Sequence, residues 1–409
     1  MILPDAAARA QGRMPLALLV FLALMTSMVA LTIDAVLPAL DAMHADLGFS
    51  ADNERHMVIF AVFAGLGIAQ VLAGPLADAY GRKPVAIGGI AVFLLGTLIA
   101  GTAQDGTAMI AGRFLQGLGA AGPRVVSVTI IRDLYRGDAM ARVSSFVNSL
   151  FVTVPMVAPI IGQGIEALGG WRMIFWFYAA TGLALAVWYL ATVPETLDKE
   201  DRRALAPRGI LSALVAVMGT GQTVAAIVIM SCAFGGFVAY LATAQQILEE
   251  DYALGPLFPL AFASLAGFFA LASFLNGRLV MRFGALRLSA LGLGLMLAAG
   301  AAGSAASAHF GGLPPLEITM PVMALAFAAV AILFANMVAI ATAPHGHLAG
   351  TAAALVLAIS TLSASTMGAV VASFYDGSLL PMFLAFTGLG CIATLSFQVI
   401  RRRRTTVVA

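Results

Sequence analysis

Twelve apolar runs, each about 20 residues or longer, account for most of the sequence, and only short polar breaks separate them. A helix needs about 20 mainly apolar residues to cross the hydrocarbon core of a bilayer. The runs predict spans at 16–41, 56–79, 84–103, 107–132, 140–166 and 172–193, then at 222–248, 256–281, 286–309, 318–343, 348–374 and 379–400. A soluble domain carries about 25% charged residues, whereas this chain has 10%, with 61% hydrophobic. It has too little polar surface to face water on all sides, so the excess must face lipid. Arg9 and Arg13 precede the first run as in a secretory signal, but the apolar stretch continues from Leu16 to Leu40. A signal core is about 7–15 residues, so the run reads as a retained span.

Six spans lie on each side of "PETLDKEDRRALAPRG" (194–209), the one long charged segment. The expected division is a six-helix bundle over 1–193, a linker over 194–221 and a second bundle over 222–409. Within the linker, "ILSALVAVMGTG" (210–221) is too short to cross and is expected to lie at the membrane surface. Lysine and arginine set the orientation. With the N-terminus inside, all 22 fall in cytosolic segments except Arg55 and Arg172 outside and Arg113 and Arg124 within the fourth span. That bias places both termini in the cytosol of a multi-pass cell membrane protein. A thirteenth span within 210–248 would put the arginines of the second half outside. The net charge of +2 offers nothing for nucleic acid. Cys232 and Cys391 sit in apolar runs and are expected to be packed thiols.

The turn between spans two and three reads "GPLADAYGRKP", with Gly74, Leu76, Asp78, Gly81, Arg82 and Lys83. The turn between spans eight and nine echoes it as "GRLVMRFGALR", with Gly277, Leu279, Gly284 and Arg287, 203 residues further on. Met281 stands where the first copy has Asp78. A repeated turn at the same place in each half implies two related bundles, an architecture common among secondary transporters. Gly74 is expected to allow close helix approach and Gly81 an unusual φ. Asp78, an acid among basic cytosolic residues, can pair with Arg82, Lys83 or the start of a neighbouring helix, forming a gating cluster expected to hold the cytosolic side of the two halves shut and to release it during transport. Arg82 and Lys83 also fit simple positive-inside anchors.

The twelve spans, this turn and "RFLQGLGAAG" (113–122) resemble the major facilitator superfamily over nearly the whole chain. "IDAVLPAL" (33–40), "APIIGQG" (158–164), "GWRMIFWFYAATG" (170–182), "VPETL" (193–197), "NGRLV" (276–280) and "GHLAGTAAAL" (346–355) are similar to its drug/proton antiporters of the bicyclomycin and chloramphenicol resistance type. The resemblance implies an all-α membrane protein of twelve helices in two pseudo-symmetric six-helix bundles. It also implies export of small amphiphilic drugs or toxic metabolites coupled to protons. A proton-coupled importer of a small metabolite is the alternative, since one fold serves both directions.

A charge at the bilayer centre costs about 2.5–3.5 kcal/mol on the lenient scale, which makes intramembrane charges functional candidates. Asp34 lies in the first span and Arg113 in the fourth, both about 10 Å below the outer face at 1.5 Å per residue. Facing each other across a cavity, they can neutralise one another. Burial favours a neutral carboxyl and a nearby arginine an ionised one, so a vestibule opening to alternate sides can toggle Asp34 between states. Asp34 is therefore the expected proton carrier and drug-sensing group, with Arg113 its coupling partner; a static ion pair locking the two spans is the other reading. An acid in span one and the arginine of "RxxQG" are recurring features of the family. Arg124 is expected to snorkel, and Asp41, Asp46, Asp52 and Glu54 to be solvated.

Span five carries Pro155, Pro159, Gly162 and Gly164, a departure from the family's antiporter pattern because Ala158 and Gln163 replace two of its glycines. These residues suit either a bending helix or a tight seam. Gln116, Asn148 and Tyr240 are the chosen polar pocket candidates, with Phe237 among the aromatics. "HGH" (345–347) reads as a solvated cytosolic loop rather than a metal site, and the sequence has no phosphate-binding loop. The expectation is a monomer without cofactor or enzymatic activity, acting on a small molecule and protons.

Overall fold

The computed structural model describes residues 14–49, 51–202, 205 and 207–408; Arg9, Arg13 and Arg203 lie outside the described residues, as do the side chains of Asp52, Asn148, Arg208, Arg403 and Arg404. Contacts divide the chain into two compact units, Met1–Ala206 and Pro207–Ala409. The first contains α1 (Leu16–Asp34), α2 (Leu40–Leu47), α3 (Met57–Tyr80), α4 (Arg82–Gly101), α5 (Gly106–Leu134), α6 (Gly137–Gly169) and α7 (Arg172–Thr192). The second contains α8 (Pro207–Gly219), α9 (Gly221–Gln245), α10 (Phe258–Phe283), α11 (Ala285–His309), α12 (Leu316–Thr342), α13 (Ala349–Ser373) and α14 (Leu380–Val408).

Among the described residues, eleven helical stretches are long and apolar enough to cross a membrane, α1 and α2 counting as one. The twelfth crossing is α6, whose 33 residues extend about 50 Å at 1.5 Å per residue. Helix is the only regular structure that satisfies its own backbone in lipid without a closed barrel. The short α8 packs its Ala213/Val217 face on α9 and α13 and leaves Leu211 and Val215 exposed. That distribution suits an amphipathic helix at an interface.

The two units share most of one packing plan, although α9 packs extensively on α14 whereas α1 touches α7 only lightly. In the first, α5 packs on α3 and α4, α4 on α7, and α1 on α6 and α5. In the second, α12 packs on α10 and α11, α11 on α14, and α9 on α13 and α12. The echoed turn repeats in backbone geometry as well. Gly81 alone separates α3 from α4, at φ 103° and ψ 161°; Gly284 alone separates α10 from α11, at φ 79° and ψ 154°. Both lie where a side chain is disfavoured and glycine is not. Gly74 departs from expectation: a Cβ there meets no atom within 4 Å, so it marks no close helix approach, and Gly277 is equally open.

The first predicted span is not one helix to residue 41. It stops at Asp34 and resumes through a 3₁₀ turn, Leu37–Ala39, into α2. Pro38 is the cause: it has no N–H to give the Asp34 carbonyl, and its ring crowds that carbonyl in a continuing helix. The seventh span also changes character, passing from α9 into a π-helical turn over Gln246–Asp251.

Candidate functional site

The break in α1 places Asp34 at a helix end within an apolar span, 4% exposed. Among the described residues its carboxyl makes no hydrogen bond and no ion pair. The next residue is clamped from behind, because α6 approaches so closely that a Cβ on Gly162 would stand 1.9 Å from the Ala35 carbonyl oxygen. Gly162 is thus a tight seam within the first unit. Pro155 and Pro159 lie inside the uninterrupted α6.

Arg113 is fully buried, yet the expected pairing with Asp34 is not made. Its Nε donates to the Val58 carbonyl at 3.0 Å, Nη2 to the Thr32 carbonyl at 2.9 Å and Nη1 to Gln116 Oε1 at 2.9 Å. The Tyr178 hydroxyl donates to the same stretch of α1, 3.1 Å from the Leu31 oxygen and 3.3 Å from the Thr32 oxygen. Arg113 also stands over the Phe175 ring, 5.9 Å from its centroid. Carbonyl oxygens and an amide compensate the buried guanidinium in part, while the Asp34 carboxyl has no direct partner among the described residues.

Gln116 does not present a free amide to a substrate. While Oε1 accepts from Arg113, Nε2 donates to Thr97 Oγ1 at 2.9 Å, and Thr97 in turn donates to the Phe93 carbonyl at 2.7 Å. Because the threonine hydrogen is committed, only the amide NH₂ can face it, and this fixes the amide orientation. Gln116 is a support for Arg113, and Thr97 supports Gln116.

A second charged cluster surrounds the α3–α4 turn. Arg82, almost fully buried, donates to Asp78 at 2.7 Å, to the Ala77 carbonyl at 2.8 Å and to both carboxylate oxygens of Asp133 at 2.8 and 3.3 Å. Lys83 donates to the Leu190 and Val193 carbonyls at the end of α7. Glu195 accepts four backbone N–H bonds: Oε1 from Arg82, Thr196 and Leu197, and Oε2 from Lys83, all at 2.9–3.1 Å. A carboxylate at the first turn of α4 also complements the helix dipole. These partners all belong to the first unit, so the cluster ties the ends of α3, α4, α5 and α7 together.

The outer-loop carboxylates Asp41 and Asp46 are exposed, as expected, and each also has a partner, whereas the turn at 345–347 departs from expectation. Asp41 pairs with Arg55 at 3.2 Å, and Asp46 with Arg172 and the Trp171 indole. His345 is 7% exposed and meets Thr223 Oγ1 at 2.9 Å, because the kink at Gly346 folds the turn onto the start of α9. Tyr375 donates to Asp251, and its burial, with that carboxylate beside it, holds the phenol well above its usual range. Cys232 is buried but Cys391 is exposed, on a face of α14 that lipid can cover.

In the second unit, Asn276 and Asn336 exchange reciprocal amide hydrogen bonds at 2.9 and 3.4 Å between α10 and α12. Tyr240 is buried, with its ring stacked on Phe262 and edge-on to Phe327; Phe237 is half-buried beside Phe327. Of the polar pocket candidates, Gln116 belongs to the first unit and Tyr240 to the second, and Asn148 lies in α6 with a side chain outside the described ones.

Residues 20–367 match the family model described as Major Facilitator Superfamily. The chain belongs to that superfamily. This facilitator is 26% identical over 373 residues to a bicyclomycin resistance protein homolog of Haemophilus influenzae, covering 91% of this chain and 92% of that one. It is 35% identical over 192 residues to the multidrug resistance protein MdtL of Escherichia fergusonii, covering 45% and 49% respectively. Among solved structures, it superposes on a D-xylose-proton symporter with a TM-score of 0.73, at 15% identity over 94% of this chain and 96% of that one. The human organic anion transporter MFSD10 gives a TM-score of 0.65 at 18% identity, over 94% and 98%. At such identities these two speak to fold alone. The facilitator is a multi-pass membrane protein of twelve helices in two pseudo-symmetric bundles.

Proposed function

We propose that this facilitator exports small amphiphilic drugs or toxic metabolites by alternating access, exchanging them for protons carried on Asp34. The observation that carries the reading is a carboxyl within the first span, nearly buried and without hydrogen bond or ion pair among the described residues, while the adjacent arginine is committed elsewhere. A buried ionisable group of that kind favours taking up either a proton or a cationic ligand. Arg113 fixes the last turn of α1 before the break and so holds Asp34 at its station. The names of the relatives, bicyclomycin resistance and multidrug resistance, support an exported drug as the substrate. The cluster of Asp78, Arg82 and Lys83, with Asp133 and Glu195, serves as a cytosolic latch that keeps the first bundle rigid. Both termini lie in the cytosol, the domain boundaries follow 1–193, 194–221 and 222–409, and the working unit is a monomer.

Import of a metabolite together with protons is the second reading, since solved neighbours include proton-coupled xylose symporters. Inverted membrane vesicles with an imposed pH gradient and a fluorescent aromatic cation separate the two. Export reads as cation uptake driven by the acid interior, abolished by an uncoupler and by Asp34→Asn with protein level unchanged. Normal gradient-driven uptake by Asp34→Asn sinks the proton-carrier assignment, and substrate movement in the same direction as protons establishes symport.

A further inference from the structure

The Tyr240 phenol is 1% exposed, and its oxygen has no hydrogen-bond partner among the described residues. Buried tyrosine hydroxyls ordinarily find a partner. The ring needs none of this oxygen for its packing: it stacks on Phe262 with centroids 6.2 Å apart and meets Phe327 edge-to-face at 5.0 Å. A phenylalanine would keep both contacts. The hydroxyl is therefore a cost that the folded unit carries without return from its own side chains.

Its position along α9 suggests what the hydroxyl serves. Phe234, Phe237 and Tyr240 recur every three residues, so each neighbours the next along the helix and the row winds from a half-buried to a buried side. Phe237 meets Phe327 edge-to-face at 5.0 Å and stacks on Phe234 at 5.6 Å and 21°; Phe234 in turn lies 5.3 Å from Phe334. Phe234, Phe237 and Phe334 are half-buried, whereas Tyr240, Phe262 and Phe327 are buried. The stripe thus runs from partly accessible rings to one unsatisfied polar atom at its inner end. Apolar walls with a single placed polar group are the usual build of a small-molecule subsite.

We propose that this stripe is a binding subsite for a planar aromatic group bearing a hydrogen-bonding substituent. The ligand ring replaces the exposed side of the Phe234–Phe237 stack, and a rotamer change at Phe237 brings the substituent to the Tyr240 hydroxyl. The inference rests on the reading of this chain as a carrier of amphiphilic compounds, and it names Tyr240 as the residue that distinguishes among them.

The test uses the purified full chain in detergent without a pH gradient, so that binding is measured apart from export. The probes are ethidium, a planar aromatic cation with two amino groups, and tetraphenylphosphonium, an aromatic cation with no hydrogen-bonding group. Tyr240→Phe is expected to weaken ethidium binding about five- to tenfold, the worth of one hydrogen bond. It leaves tetraphenylphosphonium within about twofold on the same grounds, and its thermal midpoint is no lower than that of the wild type. Phe237→Ala weakens both probes. Unchanged ethidium affinity in Tyr240→Phe, a lowered midpoint in that variant, or failure of the wild type to bind either probe overturns the subsite. The export reading fails separately, through Asp34→Asn vesicles that still drive uptake.

Discussion

Glu195 ends four backbone N–H groups on one half-buried carboxylate, and changing it should loosen the first unit by graded steps. Glu195→Gln keeps one oxygen for Arg82, Thr196 and Leu197 but turns an NH₂ toward the Lys83 N–H. That loses one charge-assisted bond, about 1.5–3 kcal/mol where buried, and a charge at a helix start, about 0.3–1 kcal/mol. Water reaches a half-buried site and returns part of the loss, so about 1–2 kcal/mol is the expected net. Glu195→Ala strips both acceptor oxygens and all four bonds and should cost about twice that on the same principle. For a unit of about 200 residues each kcal/mol lowers the midpoint about 2–4 °C, so Gln should lower it about 2–8 °C and Ala about double. The chain's three tryptophans, Trp171, Trp176 and Trp188, all lie on or next to α7. Intrinsic fluorescence on heating in detergent therefore reports on this unit. An alanine variant that melts with the wild type, or a glutamine variant that melts as low as alanine, would refute the assignment of these bonds.

Two further predictions concern the second unit, where, with the exposed Cys391 replaced by serine, labelling of buried Cys232 by a thiol dye follows unfolding. Gly284→Ala should destabilise by about 1 kcal/mol or more because its φ of 79° is strained for alanine. Gly277→Ala, in an open helical position, should instead stabilise by about 0.8–1 kcal/mol; equal effects at the two sites would contradict the repeated turn geometry. Asn276→Leu alone strands the Asn336 amide and should cost about 1–2 kcal/mol. Adding Asn336→Leu should recover most of that loss, and a strictly additive cycle would show that the pair is not coupled.

The bundle was legible because lipid imposes one length and one hydrogen-bonding solution on every crossing; apart from the first, the seventh and the last, which runs on through its arginines to Val408, the spans end within a few residues of where apolar runs meet charges. Pro38 also announced the break after Asp34, although apolar residues on either side disguise it as a continuous run. What Arg113 grips was not legible. Two of its three acceptors are backbone carbonyls, those of Thr32 and Val58, and any residue type offers a carbonyl. Gln116 read as a free polar group because Thr97, its occupant, comes from a neighbouring antiparallel helix. Asp133 was within reach: it breaks the basic pattern of a cytosolic segment as Asp78 does. Glu195 was visible only as a letter in "VPETL", since its role depends on where α4 begins. The Tyr240 hydroxyl stands out by what is missing around it, which no string of residues records.

A one-residue joint between α3 and α4 leaves those helices no slack. A bend in one is delivered to the other as a lever passes a torque, and inserting a single residue would rotate α4 by about 100° about its axis, turning its lipid-facing side inward. The same hinge recurs at Gly284, so each half should tolerate changes of loop length elsewhere far better than at this joint.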